Sequence, residues 1–178
     1  SPSFNNGTGT LICKEVREME NIVVSGATVS KNDAKITIIG VSDEPGQAAN
    51  IFHELAKEKI NVDMIIQNVS AHGLTDLTFT VDKGDLALAL ETTKRTKGEI
   101  KAKEIIADDK IAKLSVVGIG MRSHCGIAEK MFKTLSDEKI NIQMISTSEI
   151  KISCVIEKEQ AEKALNAVHK AFELDKEQ

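Results

Sequence analysis

The chain has 178 residues, of which 41% are hydrophobic but only 3% aromatic, and its formal net charge is −4. An acidic chain without Trp or Tyr lacks both the positive charge that neutralises phosphates and the rings that stack on bases, so nucleic acid is a poor candidate partner. No stretch approaches the roughly 20 apolar residues that span a membrane, and the three cysteines lack paired spacing, which favours a reducing cytoplasm over a disulfide framework or a zinc site.

The first predicted elements are two strands, a turn and a helix. Glu20–Val29 is β-rich, and Lys35–Gly40 alternates as strands do. Pro and Gly then mark a turn at 41–46. Apolar residues recur at helical spacing after this turn and predict a helix that ends near Lys59.

Four further elements complete a first block. We predict strands at Asn61–Val69 and Asp76–Asp82, a helix that starts at 83–85, and a strand at Ile100–Ala107. With the strand at Lys35–Gly40, the order is βαββαβ. This order is typical of the ferredoxin-like α+β arrangement, in which both helices cover one face of a four-stranded antiparallel sheet.

A second block repeats this order but stops short of its end. It begins with a strand at Lys113–Gly118 and a helix that ends near Lys139. Strands at Asn141–Thr147 and Ile150–Ile156 follow, with alternate residues from Ile150 onward on one buried face. A last helix at about Lys158–Leu174 leaves too few residues for a fourth strand.

The two blocks are copies of one module. Residues 46–67 align with 126–147 at a constant offset of 80 residues, which is too long for a solenoid repeat and suits a small domain. Ten of the 22 aligned positions are identical, namely Gly46/Gly126, Ala48/Ala128, Phe52/Phe132, Leu55/Leu135, Glu58/Glu138, Lys59/Lys139, Ile60/Ile140, Asn61/Asn141, Met64/Met144 and Ile65/Ile145.

The missing fourth strand of the second block has a candidate replacement near the start of the chain. The β-rich segment before the first block is not needed there, and an unpaired strand favours aggregation. We therefore expect Asn21–Thr28 to pair with the second sheet. The first domain, 31–109, would then be inserted in sequence into a second domain made of 20–30 and 110–178.

The loop Ser42–Gly46 and the helix after it form the strongest candidate site. The first N–H groups of a helix lack partners within it and carry partial positive charge, so they can hold the carboxylate of a small ligand. Asp43 could pair with the ammonium of that ligand, and Gln67 could offer amide hydrogen bonds. In the alternative interpretation, Ser42 or Asp43 simply caps the helix and Pro-Gly shapes the turn.

The corresponding loop of the second block offers no catalytic pattern. Gly118 and Gly120 form a GxG, but Gly126 is not followed by Lys-Ser/Thr, so this is not a phosphate-binding P-loop. His124 and Cys125 are sequence neighbours, and neighbours seldom converge as base and nucleophile. We predict no catalytic residue and no metal ligand.

Specific strings connect the chain to a known family. Three strings of the first block resemble the first ACT domain of aspartate kinases (aspartokinases), namely VSDEPGQAANIF, INVDMIIQNVS and DLTFTV. Two strings of the second block resemble the second ACT domain of that family, namely GMRSHCGIAEKMF and INIQMISTSEIKISCVI. The string ISTSEIKIS is close to a signature of aspartate kinases rather than of ACT domains at large. The leader SPSFNNGTGTLI resembles the junction at the end of the kinase catalytic domain, which assigns 1–19 to that leader.

The resemblance implies a function and a set of effector contacts. In that family, paired ACT domains bind lysine, threonine or both and lower the activity of a kinase that phosphorylates aspartate with ATP. The family's effector-binding positions correspond to Asp43, Pro45, Gly46, Gln47, Ala48, Asn61 and Gln67 in the first module, and to Ser123, Asn141, Ile142 and Thr147 in the second. Cys125 stands where the family often has Pro, which weakens the expectation for the second loop.

The resemblance also implies what this chain lacks and what it meets. The ATP and Mg²⁺ sites belong to a catalytic domain absent here, so we expect no cofactor in this chain and no kinase activity from it alone. Its partners would be that catalytic domain or subunit and a second copy in a homodimer, in the cytoplasm. The main alternative is a stand-alone tandem-ACT sensor or a small regulatory subunit of another biosynthetic enzyme. An RNA-binding ferredoxin-like module is disfavoured because the sheet lacks stacking aromatics.

Overall fold

Both repeated blocks fold as predicted into a four-stranded antiparallel sheet and two helices. The computed structural model describes residues 24–69, 72–119, 121 and 126–174, which form eight strands and four α-helices. The predicted leader at 1–19 lies outside these residues. No helix within the described ranges is long and apolar enough to cross a membrane.

Module 1 is the first sheet with its two helices. Its sheet has the order β3-β4-β2-β5, as in the ferredoxin-like arrangement. In chain order its elements are β2 (Asp33–Ser42), α1 (Gln47–Lys57), β3 (Val62–Val69), β4 (Leu74–Asp82), α2 (Leu86–Thr96) and β5 (Glu104–Asp108).

Module 2 combines the leading strand with the second block. Its sheet has the order β1-β6-β8-β7. Its elements are β1 (Val24–Ser30), β6 (Ile111–Gly118), α3 (Ile127–Asp137), β7 (Met144–Thr147), β8 (Lys151–Glu157) and α4 (Ala161–Ala171).

The leading strand supplies the place that a fourth strand would take in module 2. β1 pairs antiparallel with β6, from Val24 opposite Gly118 to Ser30 opposite Lys113. The predicted pairing is thus confirmed from residue 24 onward, and residues 21–23 lie outside the described ranges. Module 1 is therefore inserted between β1 and β6. Pairing with β1 covers an edge of β6 that would otherwise expose unpaired N–H and C=O groups.

Each module has its own core between its helices and one sheet face. In module 1, Ile36, Ile38 and Phe79 from the sheet meet Leu55 of α1, and all are at most 1% exposed. Alternate strand residues and helix residues three or four apart point to one side, so the sequence periodicity marks these faces. Phe79 also contacts Phe52 edge to face, with ring centroids 5.6 Å apart.

The predicted start of β5 is wrong by four residues. Ile100 is fully buried, yet it lies in the turn after α2 rather than in a strand. The N–H of Ile100 donates to the carbonyl of Thr96, and the N–H of Ala102 donates to that of Lys97. Ile100 therefore provides the hydrophobic contact at the end of α2. In the sequence, such an apolar residue looks the same as the first residue of a buried strand.

The hairpin of module 2 also differs from the prediction. β7 begins at Met144 rather than Asn141, although the N–H of Gln143 already donates to the carbonyl of Val155 at 2.8 Å. Ile150 is 63% exposed, because it lies in the bend between β7 and β8 rather than on the buried face. Turn geometry decides both positions, and alternation alone does not reveal it.

Helices α1 and α3 end in the same left-handed turn. Lys59 and Lys139 both have φ of 59°, a region that side chains with a Cβ rarely adopt. The N–H of Ile60 donates to the carbonyl of Leu55 at 3.1 Å, and the N–H of Lys59 donates to that of Ala56 at 3.0 Å. This pair of bonds is the Schellman motif, which commonly has glycine at the left-handed position.

We expect Lys59→Gly to stabilise the protein by about 0.5 kcal/mol. Left-handed strain of about 1–2 kcal/mol is relieved, and the greater freedom of unfolded glycine costs about 0.5–1 kcal/mol. Urea unfolding measures the difference. Ala56→Gly, at an exposed position inside α1, is the matched control and should instead lose about 1 kcal/mol. A loss of stability in Lys59→Gly contradicts the prediction.

Candidate functional site

A pocket lies where β2 turns into α1. It has a volume of about 370 Å³ and is lined by residues 42–48 and by Gln67 of β3; we call it the Gly46 pocket. The structure therefore brings together six of the predicted effector residues, namely Asp43, Pro45, Gly46, Gln47, Ala48 and Gln67.

Helix α1 starts without a side-chain cap. Its N-cap residue is Gly46, with φ 98° and ψ −13°, and no side chain accepts a hydrogen bond from the first turn. The alternative in which Ser42 or Asp43 caps the helix is therefore wrong. A Cβ at Gly46 would meet no atom within 4 Å, so glycine is required here by the backbone angle rather than by crowding.

The uncapped start leaves backbone N–H groups available in the pocket. The N–H of Asn50 donates to the carbonyl of Gly46 at 2.9 Å, and that of Gln47 reaches Glu44 at a long 3.4 Å. The N–H groups of Ala48 and Ala49 have no hydrogen bond to any described residue. The first turn of α1 also holds no acidic residue. The positive end of the helix is therefore free to hold an anion.

The side-chain carboxylates of Asp43 and Glu44, both in the loop before α1, differ in whether they have a partner. Glu44 accepts from the amide of Gln47 at 3.2 Å and lies 3.5 Å from the ammonium of Lys101. The Ser42 hydroxyl and then Lys101 lower the pKa of Glu44. The N–H of Asp43 is anchored to the carbonyl of Gly73 at 3.0 Å, whereas its exposed carboxylate has no described partner. Asp43 is therefore the acid that can meet a ligand cation.

Gln47 adds an unmet acceptor to the pocket. Its amide nitrogen is engaged by Glu44, but its Oε1 is buried and has no hydrogen-bond partner among the described residues. A buried acceptor without a donor is costly. Gln67 is an exposed residue of β3 that also lines the pocket.

The other predicted effector residues lie elsewhere. Asn61 is exposed beyond the opposite end of α1 and does not line the Gly46 pocket. Asn141 and Ile142 line a second pocket of about 420 Å³, after the end of α3. Thr147 is the last residue of β7 and is exposed, and Ser123 lies outside the described residues.

Ser42 belongs to the predicted loop and lines the Gly46 pocket, but sequence reasoning missed two other features of the site. Lys101 engages Glu44 from 57 positions away, and Ala49 contributes a free N–H. Only Ala49 had a signal in the sequence, because it follows Ala48 in the first helical turn. The ion pair of Lys101 depends on a contact between distant parts of the chain.

The arrangement of groups in the Gly46 pocket suits the binding of a small zwitterion. Free N–H groups and an unpaired carboxylate flank one pocket, which suits the carboxylate and ammonium of a free amino acid. Burial raises the pKa of the Cys154 thiol to about 12, so this cysteine stays protonated and is a poor nucleophile.

Known proteins resemble this chain in both sequence and fold. An ACT domain model matches residues 36–96 and 114–172, which lie in the two modules. The regulatory subunit of aspartate kinase from Thermus thermophilus, solved in its ligand-free form, has 43% identity and a TM-score of 0.81, and the match covers 84% of this chain and 99% of that one. The chain belongs to the aspartate kinase family of tandem ACT regulatory regions. The aspartokinase of Pseudomonas aeruginosa is 51% identical over 175 residues, which are 97% of this chain and 42% of that protein.

The family assignment confirms the predicted fold and the predicted resemblance. A structure of aspartokinase α and β subunits adds a second match of the same kind, with 49% identity, a TM-score of 0.80, and coverage of 85% of this chain and 99% of that chain. The tandem ACT region spans less than half the length of the curated aspartate kinases that it matches. It therefore corresponds to their regulatory part.

Proposed function

We propose that this tandem ACT region controls an aspartate kinase by binding lysine, threonine or both in the Gly46 pocket. The observation that carries the proposal is the uncapped start of α1 beside the unpaired carboxylate of Asp43. The ligand carboxylate would accept from the N–H groups of Ala48 and Ala49, and its ammonium would face Asp43. A ligand N–H or O–H would satisfy the buried Oε1 of Gln47.

The activity under control is the phosphorylation of aspartate by ATP, as the kinship with aspartate kinases suggests. ATP, Mg²⁺ and aspartate would be held by a catalytic domain or subunit, in the cytoplasm, and this chain would supply only regulation. Coverage of nearly the whole Thermus regulatory subunit supports that role whether the region is joined to the catalytic part or made separately. A stand-alone tandem-ACT sensor is the second candidate function. The similarity of the chain to aspartate kinases favours the first candidate.

We also propose that the region works as a homodimer. Edge strands β3 and β7 each expose an isoleucine at the same repeat position, with Ile65 52% and Ile145 41% exposed. Apolar edge strands invite pairing, and twofold homodimers are the commonest assembly. The pocket at Asn141 and Ile142 would be a second contact area for an effector held between copies.

Calorimetric titration of the chain tests the proposed ligand. Lysine or threonine should bind, and two lysine analogues separate the contacts. Cadaverine lacks the carboxylate that α1 would hold, and 6-aminohexanoate lacks the α-ammonium that Asp43 would face. Both should bind more weakly than lysine if lysine is the effector. Sedimentation velocity of the same samples reports the assembly. Absence of binding by both lysine and threonine to a folded chain would contradict the proposal.

A further inference from the structure

The two modules meet at a small apolar contact, which we call the seam. Its buried residues are Met64 of module 1 and Ile111, Met144 and Val155 of module 2, with Ile66 partly buried beside them. The module cores are much larger, with 13 and 14 buried residues in the part of the chain that the structure describes. A contact of this size between units with separate cores permits relative movement.

The seam is built with approximate twofold symmetry. Lys35 and Lys113 begin equivalent strings, KITIIG and KLSVVG, and Asp63 and Gln143 are equivalent at the offset of 80 residues. Each lysine crosses the seam to the equivalent residue of the other module. The ammonium of Lys113 donates to the carboxylate of Asp63, and that of Lys35 donates to the amide oxygen of Gln143.

The two halves of the seam differ in charge. Lys113 also lies 3.2 Å from Oδ1 of Asp33, a position that is the apolar Ile111 in module 2. The side chains of Lys113 and Asp33 are only 16% and 11% exposed. Lys35 instead has the amide of Gln143 and a more distant carboxylate, Asp108, at 3.8 Å.

Lys113 stays charged although its side chain is largely buried. Burial opposes its charged form, but the carboxylates of Asp63 and Asp33 outweigh that effect and raise the pKa of Lys113. Oδ2 of Asp33 is buried and has no hydrogen-bond partner among the described residues. Lys113 is therefore the cation that compensates a buried, incompletely satisfied carboxylate, and its loss would leave that charge uncompensated.

We propose that Lys113 is a positioning residue that holds the two modules closed across the seam, and that the seam is a joint that can open while both modules stay folded. Small movements of packed units about an interface are a common way in which regulatory proteins change state. This inference depends on the contact between modules and not on which effector the Gly46 pocket binds.

Methionine oxidation by hydrogen peroxide, followed by mass spectrometry, measures the joint directly. Met64 and Met144 are 4% and 6% exposed in the seam, and Met131 is fully buried in the core of module 2. Seam opening exposes the first two alone, whereas global unfolding exposes all three.

The variant is Lys113→Gln, and its matched control is Lys35→Gln at the equivalent position. We expect Lys113→Gln to raise the oxidation rates of Met64 and Met144 about tenfold, because a buried carboxylate loses its cation. In the same variant, the oxidation rate of Met131 should change less than about twofold. Lys35→Gln should raise the oxidation rates of Met64 and Met144 less than about threefold, because the main partner of Lys35 is an uncharged amide. Adding Asp33→Asn to Lys113→Gln removes the uncompensated charge and should slow oxidation of both seam methionines again.

Three results would overturn the proposal. These are unchanged rates at Met64 and Met144 in Lys113→Gln, a parallel rise at Met131, and equal effects of the two lysine variants. If Lys113→Gln does not fold, Asp63→Asn carries the test, because Asp63 is nearly half-exposed and Asp33 keeps its cation. It should raise the seam rates roughly threefold, and an unchanged rate would equally overturn the proposal.

Discussion

Asp43→Ala is expected to weaken binding of the proposed effector, lysine or threonine, by roughly 10- to 150-fold. The lost interaction is a charge-assisted hydrogen bond of about 1.5–3 kcal/mol between the ligand ammonium and a carboxylate that has no described protein partner. Because that carboxylate is exposed and unpaired, thermal stability without ligand should be unchanged. Titration calorimetry measures the affinity and thermal unfolding measures the stability.

The control for this variant is the neighbouring acid. Glu44 is already engaged by Gln47 and Lys101, so Glu44→Ala should change effector affinity by less than about threefold. In an enzyme that carries the region, Asp43→Ala should relieve inhibition and leave uninhibited turnover nearly intact, because regulation is a coupling between sites. Equal affinities of Asp43→Ala and the parent chain would show that the ammonium lies elsewhere.

Phe79→Ala should destabilise the protein by about 3–5 kcal/mol. Phe79 is fully buried, packs edge to face against Phe52, and lies in the central strand β4 opposite Ile36 of β2. Removing the ring leaves a cavity between the sheet and α1 that rigid neighbours cannot fill. Urea unfolding monitored by circular dichroism measures the loss.

Module 2 offers a matched control for this variant. Cys154 occupies the equivalent place, opposite Leu114 of β6, and is likewise fully buried. Cys154→Ala removes a single sulfur atom and should cost about 1 kcal/mol. A loss below about 1 kcal/mol for Phe79→Ala would mean that the core of module 1 is not close-packed around this ring.

Much of the fold could be predicted because the signals are local. Alternation in β2 and β4 and helical spacing in α1 and α3 indicate which side of each element is buried, and the 80-residue repeat doubles every such signal. Errors occurred where a turn resembles a regular element. Ile100 has the apolar character of a strand residue but is the hydrophobic contact of a helix end, and Ile150 belongs to a bend.

The candidate site was predicted in outline for a similar reason. The residues from Asp43 to Ala48 are consecutive, so any fold that places a helix after the Pro-Gly turn brings them together. The absence of a side-chain cap and the unmet Oε1 of Gln47 could not be predicted, because each depends on the exact backbone and on neighbours distant in sequence. Asn61 was assigned through the family resemblance, and it lies beyond the other end of the same helix, outside the Gly46 pocket.

The sequence by itself determined the two modules, the βαββαβ order of the first, the shortened βαββα order of the second and the Pro-Gly turn that ends at Gly46. It did so because periodicity, repeats and turn residues act over a few positions along the chain. The missing strand of the second block indicated that the second sheet needs β1. Only the tertiary structure decided the register of β1 against β6, from Val24 opposite Gly118 onward. It alone also decided that Lys113 meets Asp33 and Asp63 across the seam. Such contacts join residues 50 to 80 positions apart, and no local pattern encodes which of many surface charges will face each other after two sheets pack.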